Sequence, residues 1–170
     1  MTQYVLLCDG MGTGSGAQSD AQEAISVLQS LLTLGFDAMD AAAMLNELYV
    51  LRGDGCFSTV DLLEMDLCTG EGALYKWGAA PSYLKKGGTV KKIGTASPPP
   101  GLGVGEEHRA ERVGLSLQRG EQLVLTTDGV SEAACDPPLR RLRAVSARVR
   151  AAFAEGACRR GRRVRQRVRA

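Results

Sequence analysis

Charge divides this chain into two unlike sequences, and the division limits which part can form a packed core. Residues 139–170 hold 12 arginines, no lysine and one acid, Glu155, for a net charge of +11. Residues 1–138 hold 9 basic and 18 acidic residues, a net of −9, so the overall +2 conceals opposite halves. A dense run of one sign opposes compaction by self-repulsion, and the apolar spacing of the arginine-rich part is irregular, so disorder is expected there. The folding information lies in residues 1–138. With 170 residues in all and 44% hydrophobic content, one globular domain is the expectation.

The five cysteines, Cys8, Cys56, Cys68, Cys135 and Cys158, form no C-x-x-C pair. An odd, scattered set fits neither a disulfide framework nor a zinc site, so reduced thiols are expected, with Cys8 a small buried hydrophobe inside YVLLC. No apolar run is long enough to span a bilayer, and MTQYVLLCDG lacks the basic region and cleavage site of a signal peptide. The chain reads as cytoplasmic.

YVLLC is a short apolar run that stops at Asp9 and a glycine cluster, the pattern of a buried strand ending in a loop. Ala21, Ile25, Leu28 and Leu32 recur at helical spacing, and Gly35 is placed to close that helix. Asp37 can cap a second helix, with Asp40 in its first turn and Ala41, Met44, Leu45, Leu48 and Leu51 along its expected buried face. STVDLLEMDL then alternates as a strand, and a second strand through Ala73, Tyr75 and Trp77 pairs antiparallel with it across Thr69-Gly70-Glu71-Gly72. Short strands are expected at 82–85 and 89–93. The prolines of 97–101 make that run a loop, and the last two strands fall at 113–117 and 122–127.

Two places share one design. VLLCDG and LVLTTDG each deliver an aspartate, Asp9 and Asp128, at the end of an apolar strand, with a glycine next. Carboxylate oxygens are hard ligands suited to Mg²⁺ or Mn²⁺, and a following glycine lets its own carbonyl approach the ion. Taken singly, either Asp-Gly reads better as a simple turn, and spacing does not bring the two together. A rival reading uses Gly12-Thr13-Gly14-Ser15-Gly16-Ala17 as a looser dinucleotide fingerprint with Asp37 as the ribose ligand. It ranks below the metal reading: Asp9 would sit beside the pyrophosphate, Asp37 reads as a helix cap, and the later strands are antiparallel hairpins.

Taken in order, DGMGTG at 9–14, FSTVDLLEMDLCTGE at 57–71, YKWGAAPSYLKKGG at 75–88, the proline-glycine stretch ending at Gly101 and LVLTTDGVSEA at 123–133 resemble the PPM (PP2C-like) phosphatases of the stage II sporulation protein E type. The likeness covers residues 4–133. It implies an α+β fold, a PPM-type β-sandwich flanked by helices in α-β-β-α layers, with a two-metal Mn²⁺ or Mg²⁺ centre that activates water for in-line attack on phosphorus. By position, Asp9 would bridge both ions, Gly10 would ligate through its carbonyl, and Asp128 would hold the second ion, making Asp9 and Asp128 the catalytic pair. The implied substrate is phosphoserine or phosphothreonine on an anti-sigma-factor antagonist-like protein, in sporulation-type control of a sigma factor.

The family also has an aspartate upstream of DGMG and a late acidic motif. This sequence begins after the first, and no aspartate follows Asp136. Residues 1–138 are therefore expected to be a phosphatase domain truncated at both ends, weakly active or inactive, with a catalytically dead interaction module as the alternative. Residues 139–170 form a basic low-complexity tail, read either as out-of-frame translation, which the abrupt compositional change favours, or as an arm binding nucleic-acid phosphates. Nucleic-acid recognition ranks lowest. His108 in GEEHRAER reads as a solvated loop residue, Tyr75 and Trp77 as a half-buried strand edge, and Lys85, Lys86, Lys91 and Lys92 as charged hairpin ends.

Overall fold

The computed structural model describes residues 1–55, 57–94, 97–103, 105, 109–131 and 163–165. Strand β1 (Thr2–Gly10) leads into two helices, α1 (Ser15–Leu34) and α2 (Ala38–Arg52). Strands β2 (Ser58–Asp66), β3 (Glu71–Trp77), β4 (Ser82–Lys86), β5 (Thr89–Ile93), β6 (Glu111–Ser116) and β7 (Gln122–Val124) follow, then the single turn α3 (Asp128–Ser131) and strand β8 (Arg163–Arg165). The strands form a five-stranded sheet, β6-β3-β2-β1-β8, and a three-stranded sheet, β5-β4-β7.

Every pairing is antiparallel except β8, which runs parallel to β1 from Gln3↔Arg163 to Val5↔Arg165. The rest of the basic tail lies outside the described residues, as do His108, Cys56, Cys135 and Cys158.

Strand alternation sorts the large sheet's side chains onto two faces. Tyr4, Leu6, Cys8, Val60, Leu62, Ala73, Tyr75 and Trp77 face α1 and α2 and bury against Ile25, Leu28, Leu45 and Tyr49. Leu63, Met65 and Leu74 face the other way and pack with Leu84, Ile93, Leu115 and Leu123. The described layers are thus helix, sheet, sheet.

The expected helix positions Ala21, Ile25, Leu28 and Leu32 are all buried. Gly35 closes α1 in the left-handed conformation, with φ 99°. Asp37 caps α2 by accepting the Asp40 amide at 2.8 Å. The expected face of α2 needs correction: Ala38, Ala41, Ala42, Leu45, Asn46 and Tyr49 are buried, whereas Met44 is 42% and Leu51 84% exposed. Small alanines let α2 lie close against α1 and leave room for the Tyr49 ring, so the larger apolar side chains are turned outward.

Strand β3 also departs from expectation. It lies between β2 and β6, so Tyr75 and Trp77 sit on an interior strand and are buried beneath the helices, not on an edge.

Candidate functional site

The registers gather several strand ends at one end of the sandwich. The pair Gly10↔Ser58 sets the end of β1 beside the start of β2. Val60↔Trp77 brings the end of β3 to the same level. The chain then crosses at 78–81 into β4, and Tyr83↔Val124 sets the end of β7 beside the start of β4. Asp9 therefore leaves the large sheet, and Asp128 follows the last strand of the small sheet, at the same end of the molecule.

Each sequence-predicted residue has a local cause for its position. Asp9 is half-buried in the last pairs of β1, opposite Thr59, whose Oγ1 donates to the Asp9 carbonyl at 3.5 Å. At Gly10 a Cβ would lie 1.9 Å from the Ala17 carbonyl oxygen, so only glycine lets the first turn of α1 pack against the strand end. The Met11 amide donates to the Phe57 carbonyl at 3.0 Å and holds the start of the glycine loop against β2. Asp128 is exposed in the first position of α3, and its Oδ1 accepts the Gly129 amide at 2.6 Å.

The groups expected as donors, two carboxylates and the carbonyl of Gly10, are all oxygen, a chemistry that would fit Mg²⁺ or Mn²⁺. Among the described residues no three His, Cys, Asp or Glu side chains gather as a cation site. The rival dinucleotide reading fails on geometry: α1 leads to α2 and then to β2, which is antiparallel to β1, so there is no βαβ unit here. Asp37 is occupied as the cap of α2. Cys8 is inert, because burial, with the charges of Asp61 and Asp9 adding to it, pushes its thiol up to about 12.

Sequence reading missed a polar cluster between the sheets. Asp61 and Lys76, each 1% exposed, form an ion pair at 2.5 Å. Lys76 Nζ also donates to the Ala80 carbonyl at 2.8 Å and to Ser82 Oγ at 2.9 Å. Asp61 Oδ2 has no hydrogen-bond partner among the described residues. Burial pushes the Asp61 carboxyl up to about 6, against the opposing pull of the Lys76 charge and hydrogen bond. A second missed residue is Asn46 of α2, whose Oδ1 accepts the Gly101 amide at 2.8 Å and whose Nδ2 donates to the Gly103 carbonyl at 2.9 Å. It clamps the proline-glycine loop to the helix. The available signal was a charged residue at the inward phase of each strand, Asp61 with Leu63 and Lys76 with Leu74.

The stage II sporulation protein E (SpoIIE) family matches residues 2–170. Stage II sporulation protein E of Bacillus subtilis (strain 168) is 33% identical over 127 residues, covering 74% of this chain and 15% of that protein. Its counterpart in Priestia megaterium is 33% identical over 132 residues, covering 76% of this chain and 22% of that protein. The chain thus spans a minor part of these relatives' length. The solved PP2C phosphatase domain of the cell fate determinant SpoIIE from Bacillus subtilis, with a fragment of its regulatory domain, superimposes with a TM-score of 0.68 at 27% identity, covering 84% of this chain and 45% of that one. The RsbU and RsbW domains of a Mycobacterium tuberculosis protein superimpose at 0.65 and 14% identity over 91% of this chain and 50% of that one, a likeness of fold.

Proposed function

The chain belongs to the stage II sporulation protein E family, whose solved relatives carry the PP2C-type phosphatase fold, and from that premise we propose that it is a metal-dependent protein serine/threonine phosphatase domain. The observation that carries the proposal is the convergence of β1 and β7, which brings Asp9, Gly10 and Asp128 to one end of the sandwich from two different sheets. Asp9 and the Gly10 carbonyl from the large sheet, and Asp128 from the small one, are the residues that would hold the Mn²⁺ or Mg²⁺ ions. Bound there, such ions supply positive charge to phosphoryl oxygens and acidify water.

The chain's own contribution is placement. The hydrogen-bonded end of β1 fixes Asp9, the close approach of Ala17 fixes Gly10, and the exposed Asp128 leaves the site open to a macromolecular substrate. The substrate is phosphoserine or phosphothreonine on an anti-sigma-factor antagonist-like protein, acted on in the cytoplasm. No helix among the described residues is long and apolar enough to cross a membrane.

The test is Mn²⁺-dependent release of phosphate from such a phosphoprotein by the full chain. Weak turnover is expected in the wild type and none in Asp9→Asn or in Asp128→Asn. The second reading is a non-catalytic interaction module that keeps the sandwich and binds the phosphoprotein without turnover. Wild-type chain that binds the phosphoprotein but releases no phosphate with Mn²⁺ would establish it.

A further inference from the structure

We infer that Asp61, Lys76 and Thr126 are positioning residues that fix the Asp9-bearing end of the large sheet relative to the Asp128-bearing end of the small sheet. The inference deepens the metal reading above and rests on it for its functional meaning. The linkage is a continuous path. Asp61 pairs across the sheet with Leu7, two residues before Asp9 on β1. Its carboxylate holds Lys76 of β3 at 2.5 Å. Lys76 in turn holds Ala80 and Ser82, on either side of Pro81, where the chain passes from one sheet to the other. The Pro81 carbonyl then accepts Thr126 Oγ1 at 2.9 Å, two residues before Asp128.

Three features make this path a device for position. The ammonium has three donors and the structure supplies three acceptors, so its direction is fully determined. Room for the lysine stem is built in: a Cβ on Gly94, which has φ 101°, would lie 2.5 Å from Lys76 Cε. A buried ion pair is also a poor source of stability, since well-packed apolar side chains do as well or better there. What the pair provides that methyl groups do not is a fixed hydrogen-bond direction across the gap between sheets. Apolar packing resists separation of the sheets but permits sliding.

The test uses the full chain with Asp61→Leu/Lys76→Met, which removes both charges, and separately with Thr126→Val. Hydrogen exchange is read at the amides of 9–11 and 127–129, and Mn²⁺ affinity by electron paramagnetic resonance of the free ion. In both variants exchange is expected to rise at those two segments while the melting temperature stays near wild type. Mn²⁺ affinity is expected to fall about 10- to 100-fold, the range for losing groups that orient ligands. Unchanged exchange at both segments in a folded double variant overturns the inference, as does a uniform rise through β2 and β6. Coupled exchange in a wild-type chain that binds no Mn²⁺ supports the sheet coupling and sinks the metal reading instead.

Discussion

The two faces of the large sheet are built on different plans. Toward the helices the contacts are almost wholly apolar, from Tyr4, Leu6 and Cys8 on β1 to Leu28 and Leu45, with hydroxyls accommodated at the margins. Tyr4 and Tyr75 donate to the two oxygens of Glu64, and the Tyr49 hydroxyl lies 2.9 Å from Ser58 Oγ. Toward the small sheet a smaller apolar cluster shares the interface with Asp61 and Lys76. Apolar burial is non-directional and tolerates small shifts, whereas a buried ammonium with three fixed acceptors does not. One face is therefore the main source of stability, and the other sets where the strand ends lie.

Single removal of one charge is the harshest way to break that contrast. Lys76→Met leaves Asp61 buried without its counter-charge, and a loss of about 3 to 5 kcal/mol is expected in urea unfolding. Adding Asp61→Leu to the same chain should recover most of it, because the unpaired charge goes too. If the double variant is no better than the single one, the pair does contribute stability and the contrast between the faces fails. On the helix side, Leu28→Ala at a fully buried position should cost about 3 kcal/mol through lost transfer energy and a cavity. It should leave exchange at 9–11 and 127–129 as it is in the wild type.

Much of the fold was legible in the sequence because its pattern is periodic. The α1 stripe, the Asp37 cap and the β2–β3 hairpin follow from spacing and turn chemistry, and the structure bears them out. The buried face of α2 was misread because alanine carries almost no hydropathic signal. Ala38, Ala41 and Ala42 were outweighed by Met44 and Leu51, which face outward. The candidate site was legible only in part. Asp9 and Asp128 announce themselves at strand ends, but their common location depends on registers that no local pattern encodes. Asp61 and Lys76 stayed hidden because a charged residue at an inward phase looks like an error in the alternation until its partner, fifteen residues away, is seen opposite it.

Acidity offers a gentler probe of the inter-sheet face. Burial raises the folded carboxyl of Asp61 from 3.8 to about 6, so the folded chain binds more protons than the unfolded chain between those values. The contribution of this group is fully present below about pH 4 and is lost as pH rises through about 6. Wild-type stability minus that of Asp61→Leu/Lys76→Met, from urea midpoints, should therefore decline from pH 4 to pH 6. A difference that instead grows over that window would mean that Lys76 overcomes the cost of burial, and the pair would then be stabilising when ionised.

The mildest expected effect tests the helix side at its rim. Asp37 accepts the Asp40 amide at 2.8 Å and satisfies one of the unpaired donors at the start of α2. Asp37→Ala removes that acceptor and should cost about 1 kcal/mol, while Asp37→Asn keeps a side-chain oxygen in place and should cost little. Both changes lie on the helical layer, so Mn²⁺ affinity should be unmoved in either variant. If Asp37→Ala instead weakens the ion as strongly as Thr126→Val does, then α2 transmits to the strand ends as effectively as the ion pair, and the division of labour between the two faces is wrong.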